Sequence, residues 1–110
     1  MDEYLGTVKL FAFNFVPKGW ALCNGQSLTI ASNSALYALI GTAYGGDGRT
    51  MFALPDLRNC IPIGTGARAG LNDNIVHAVV NYRSSHGSGN FTTMGMNYCI
   101  CVQGVFPPRE

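Results

Sequence analysis

A chain of 110 residues is the size of one compact domain, with room for a modest core and none for a second catalytic domain. Only 12% of its residues are charged, against a usual share of about 25%, and seven Lys+Arg against six Asp+Glu leave a formal charge of +1. That balance provides neither the basic footprint of a nucleic-acid binder nor a polybasic membrane anchor, and no apolar run reaches the ~18 residues that a membrane helix needs.

With 47% apolar residues the chain lies far from the composition of disorder, and fourteen Gly with five Pro punctuate it too often for a helical bundle. The acidic start, Met1-Asp2-Glu3-Tyr4, reads as no secretory n-region. A near-neutral, charge-poor surface favours association, so a homo-oligomer is the expectation.

Residues 5–16 read as the first strand, with Phe11, Phe13 and Phe15 on one face at period two and Val8, Leu10 and Ala12 on the other. Apolar residues on both faces imply cover from two sides, by the chain's own fold or by a neighbouring subunit. Pro17-Lys18-Gly19 turns the chain, and Trp20 to Cys23 reads as a short second strand closed by Asn24-Gly25.

A single short helix follows, over about residues 32–40. Ser32 is placed to cap it, Ala35, Leu36, Leu39 and Ile40 recur at helical spacing, and Gly41 is placed to end it. Leu28 and Ile30 precede the cap and can pack back on the first turn. Two turns do not persist alone, so this helix depends on packing.

Tyr44 to Arg49 is a glycine-rich loop, Phe52 to Arg58 is irregular or extended around Pro55, and Cys60-Ile61-Pro62-Ile63 reads as a short strand at an edge or bulge. Residues 64–74 read as a loop. Ile75 to Arg83 alternates as a strand, and Ser84 to Asn90 is a turn. Phe91 to Phe106 carries no charge, and its strand centre is Tyr98-Cys99-Ile100-Cys101-Val102. Such a segment invites aggregation unless it is central in a sheet or paired across an interface. The fold class is mainly β (α+β): a small antiparallel domain with one short helix.

Little in this pattern points to catalysis. Asp47-Gly48 stands where a phosphate loop needs Lys-Ser/Thr, and Gly64 to Gly70 lacks the spacing of a dinucleotide fingerprint, so these glycines read as tight turns. His77 and His86 are isolated from other ligand types, and Asp47, Asp56 and Asp73 are scattered singly. Asp47 with Arg49, and Asp56 with Arg58, read as local loop braces. A Cys/His nucleophile from Cys23 or Cys60 with His77 has no flanking motif behind it. No catalytic residue, metal ligand or cofactor site is assigned.

Four cysteines leave two readings open. All four are small buried hydrophobes, or Cys60 bonds Cys99 or Cys101, within the chain or between subunits. Cys99 and Cys101 share a face of one strand, which disfavours a bond between them.

The run Leu10-Phe11-Ala12-Phe13-Asn14-Phe15-Val16-Pro17-Lys18-Gly19-Trp20-Ala21-Leu22-Cys23-Asn24-Gly25-Gln26 resembles the opening of the phage tail collar domain family, the group that includes the microcystin-dependent proteins. The likeness continues through Asn33, Ala35-Leu36-Tyr37-Ala38-Leu39-Ile40-Gly41, Tyr44-Gly45-Gly46-Asp47-Gly48 and Phe52-Ala53-Leu54-Pro55-Asp56-Leu57-Arg58. It covers about residues 5–66, and Met96 to Pro107 is similar to the usual family ending.

The resemblance implies one domain over 1–110, with a shortened variable hairpin at 67–95 and a C-terminal strand at 96–108. It also implies a non-enzymatic, self-assembling subunit of an extracellular or virion fibre, a trimer or a filament. The family's Pro-x-His-x-His stretch is missing, so no ion-threaded tip is expected. Phe11, Phe13, Phe15, Ile100, Val102 and Phe106 are the candidate core or assembly residues. The alternative is a tip that binds a host receptor or glycan through Tyr82, Arg83, His86 and Asn90, whose aromatic, guanidinium and amide groups suit sugars.

Overall fold

A computed structural model describes residues 3–64 and 93–109, and every element below belongs to one unit, Met1–Pro62 with Met96–Glu110. Five short strands and one helix run in the order β1 (Val8–Phe11), β2 (Trp20–Leu22), β3 (Ser27–Thr29), α1 (Ser34–Ile40), β4 (Met51–Ala53) and β5 (Asn97–Cys101). The mainly antiparallel β architecture with one short helix agrees with the sequence reading.

The last strand is the centre of the larger sheet, whose order is β1-β5-β2. β1 pairs with it antiparallel, Val8 opposite Ile100 and Leu10 opposite Tyr98. β2 pairs on its other side, Trp20 opposite Cys101 and Leu22 opposite Cys99. Cys99, Ile100 and Cys101 are all buried, so β5 is covered on both faces. The charge-free composition of this stretch now has a physical reason: a charge on either face would have to be desolvated without a partner.

β1 is shorter than the pattern predicts. Regular pairing stops at Phe11, and Ala12 to Phe15 bend away from the sheet. Pro17 and Gly19, the latter at φ +85°, then reverse the chain. The Gly19 carbonyl accepts from the Val102 and Gln103 amides at 2.9 and 3.1 Å, which ties this turn to the end of β5.

β3 and β4 form a second, two-stranded sheet, Leu28 opposite Phe52. Three residues are too few to show a period, so the sequence reads β3 as no strand and Phe52 and Ala53 of β4 only as irregular or extended. Pairing with β4 is what extends Leu28, which was expected to act as a helix staple.

α1 begins after Asn33 and not after Ser32. The Asn33 side chain makes no cap bond; its Nδ2 donates back to the Thr29 carbonyl at 3.0 Å. Gly41, at φ +55°, ends the helix with its amide on the Tyr37 carbonyl at 2.8 Å. Leu36 is the fully buried residue of the helix. Ala35 faces outward, and the ring of Tyr37 takes the inner place, edge-on to Phe52 with centroids 5.4 Å apart. The larger apolar surface wins the inward position.

Leu5, Cys23, Leu36, Phe52, Leu54 and Ile100 form the core, which therefore joins the helix and both sheets. Burying each large member contributes about 1.5–3 kcal/mol of hydrophobic stabilisation. The two ends of the unit are also clasped. The Leu5 amide donates to the Val105 carbonyl, and the Val105 amide to the Glu3 carbonyl, both at 2.9 Å. Gly104 allows that approach, since a Cβ there would meet the Glu3 carbonyl and stand 2.7 Å from the Cys101 sulfur.

Cys60 to Ile63, expected as a strand, has no strand pairing. Asn59 at φ +56° and Pro62, which lacks an amide donor, interrupt a ladder on either side. The alternating stretch Ile75–Arg83 and the turn Ser84–Asn90 lie outside the described residues.

Candidate functional site

The glycine loop resolves into a self-satisfied turn. Oδ1 of Asp47 accepts from the amides of Arg49, Thr50 and Met51 at 2.9, 3.0 and 3.0 Å, and Oδ2 accepts from the Thr50 hydroxyl at 3.1 Å. The Met51, Arg49 and Thr50 amides hold this carboxyl well below the usual carboxylate range. Gly46, at φ +101°, lies against Phe52, and a Cβ there would stand 2.7 Å from the Met51 carbonyl. The amides that a phosphate would need are therefore occupied by the chain's own aspartate.

Asp56 and Arg58 form a two-pronged ion pair, Nε to Oδ1 at 2.8 Å and Nη2 to Oδ2 at 2.7 Å. Asp56 pushes the Arg58 guanidinium further up. The loop-brace reading holds for this pair. For Asp47 the partners of the carboxylate are the Arg49, Thr50 and Met51 amides and the Thr50 hydroxyl.

Cys23, Cys99 and Cys101 are buried thiols. Within the single chain Cys99 and Cys101 are thiols and not bonded to Cys60, and the central position of β5 is the reason that neither sulfur meets solvent. Burial, with the neighbouring Cys99, pushes the Cys23 thiol up to about 11, and burial raises Cys99 and Cys101 as well. Protonated, enclosed sulfurs are poor nucleophiles and poor partners for a second chain. Among the described residues, no group of three His, Cys, Asp or Glu is arranged to hold a metal ion.

The unusual surface is apolar. Phe15 stacks on Phe13 at 4.4 Å between centroids, Phe13 meets Phe11 at 5.0 Å, and Phe11 meets the edge of Trp20 at 5.2 Å. Four rings thus form one continuous row, and bending of the chain after Phe11 has not broken the alignment expected from period two. Offset and edge-on ring contacts are favourable in themselves, which lets the row hold its shape at the surface. Phe15 is 61% exposed and Phe13 39%.

On the other face of β1, Val8 is 38% and Leu10 49% exposed, so the cover expected there, from the chain or from a neighbouring subunit, is not supplied by this chain. Lys9 is salt-bridged to Glu3. Of the other candidates, Ile100 is buried in the core, Val102 packs against it, and Phe106 stands half exposed. The sequence reading did not include Trp20, Val8 or Leu10 in the site. Trp20 follows the Pro17–Gly19 reversal, and that was the signal that could have placed it beside Phe11.

Tyr82, Arg83, His86 and Asn90, the residues of the receptor- or glycan-binding alternative, lie outside the described residues, as do His77 and Asp73.

Among the described residues no helix is long and apolar enough to cross a membrane. Residues 6–62, just over half of the chain, match the family model of the Phage Tail Collar Domain. No curated protein matches the chain.

Proposed function

The chain belongs to the phage tail collar domain family, a family of structural modules of phage tails, and from that premise we propose that it is a self-assembling structural subunit of a virion or extracellular fibre. The observation that carries the reading is the ring row Phe15-Phe13-Phe11-Trp20, exposed at Phe15 and Phe13 and half-buried at Phe11 and Trp20, together with open Val8 and Leu10. Large apolar side chains left exposed in a cluster on a folded domain mark an interaction site. Scarce charge means that copies do not repel one another as they gather.

The chemistry of the described residues agrees with a non-catalytic role. Asp47 and Asp56 are committed to turns, and the buried thiols are protonated.

Light scattering and electron microscopy of the purified chain test the proposal. Discrete oligomers or fibres are expected, and Phe13→Ser with Phe15→Ser together should reduce them to single folded chains. Assemblies that form unchanged in that double variant would remove the aromatic row from the account.

A further inference from the structure

Among the described residues the pairing of β1 leaves one of its edges open, and the register says which groups that edge presents. The Cys101 amide donates to the Thr7 carbonyl at 2.8 Å, so Thr7 points its backbone toward β5. On β5 the Tyr98 carbonyl and the Val102 amide bond to the β2 side, which fixes the alternation. In an antiparallel ladder successive residues alternate between the two edges. Lys9 and Phe11 therefore follow Thr7 toward β5, and Val8 and Leu10 point their N–H and C=O groups outward. Among the described residues no strand pairs with this outer edge.

Natural edge strands are blunted by charge, proline or a bulge. Here the edge holds a single charge, Lys9, whose exposed side chain is salt-bridged to Glu3. What remains is a short, apolar, hydrogen-bonding edge, flanked by the aromatic row.

We infer that the outer edge of β1 pairs antiparallel with β1 of a second copy, across a two-fold axis at Leu10. The strand is complementary to its own reverse about that residue. Reversal places Leu10 opposite Leu10 of the second copy, with their outward amides and carbonyls bonded, and Val8 facing the point at Ala12 where the chain leaves the strand. On the other face it sets Lys9 opposite the ring of Phe11, a favourable cation–aromatic pair, and it does so twice because the contact is isologous. An axis at Lys9 would instead set two lysines directly opposite, which is unfavourable. An axis at Val8 leaves Leu10 facing Gly6, with no side chain to meet. The strand thus supplies its own match to Lys9 and Phe11 at once. The second copy is therefore the occupant that this edge fits.

The inference rests on the self-assembly reading and adds the surface and its symmetry, and it can fail alone. Leu10→Pro removes the outward amide of Leu10 without removing a bond to β5. The expected result is that the wild type shows species of twice the mass of those formed by Leu10→Pro, with the dissociation midpoint raised at least tenfold by the substitution. Leu10→Lys, which keeps its amide and sets two cations opposite each other, should act the same way and covers the case in which the proline variant does not fold. Amide exchange on the assembled wild type should show Val8 and Leu10 slowed by about tenfold or more relative to dilute protein. Unchanged assembly in both variants, with Val8 and Leu10 exchanging freely, would overturn the edge pairing and leave the fibre reading standing. A wild type that stays a single chain at every concentration would overturn both.

Discussion

β1 and β5 are neighbours in one sheet, both short and both dominated by apolar residues, yet they stand in opposite environments. Cys99, Ile100 and Cys101 are enclosed on both faces, whereas Val8 and Leu10 meet solvent. Position in the sheet makes the difference. Among the described residues β5 has strands on both sides and β1 on only one. An uncharged strand thus says that cover is required, and topology decides whether the chain or a second molecule supplies it.

Substitutions at matched positions sharpen the contrast. The largest expected effect is at the centre: Ile100→Ala should cost about 2–5 kcal/mol in urea unfolding, the loss typical of a fully enclosed large side chain. Leu10→Ala, directed at the open strand, should cost well under half as much in dilute protein. Equal losses at the two sites would mean that β1 is covered within its own chain.

Thiol chemistry probes the same enclosure from inside. Cys23, at about 11, and the raised Cys99 and Cys101 should react with iodoacetamide at pH 8 at least about 100-fold more slowly in the native protein than in denaturant. Fast native labelling of Cys99 or Cys101 would show that the centre of the sheet opens readily.

How much of this was legible in the sequence varies with the physical length of the signal. Sixteen uncharged residues from Phe91 to Phe106 announced a strand that must be central or paired, and it is central. Alternating Phe11, Phe13 and Phe15 announced an aligned aromatic face, and the rings are aligned. β3 escaped notice and β4 showed only as irregular or extended, because three-residue strands exist through pairing and carry no period of their own. Ala35 misled because spacing alone does not weigh a methyl group against the ring of Tyr37. Cys60 to Ile63 looked like a strand by composition, while the left-handed Asn59 before it breaks the ladder.

The Asp47 turn contributes a smaller, pH-dependent effect. A carboxyl held below the ordinary 3.8 stabilises the fold above that value, and its contribution disappears as pH falls toward the lower folded value. Asp47→Asn should therefore be less stable than the wild type by a constant margin above about pH 5, with the gap closing below about pH 4. A gap that widens on acidification would reverse the assigned sign.

The smallest expected change is in the stability of the surface row. Phe15→Ser should move the unfolding free energy of dilute protein by no more than about 0.5 kcal/mol, while its effect on assembly is large. A stability loss as large as that of Ile100→Ala would mean that the row belongs to the core and not to an interface.

Sedimentation equilibrium of the full chain across a wide concentration range tests the central claim most directly. The open apolar face of β1 and its aromatic row predict a weight-average mass that climbs from one chain to a defined multiple. A single-chain mass at every concentration, from protein shown to be folded, would contradict it.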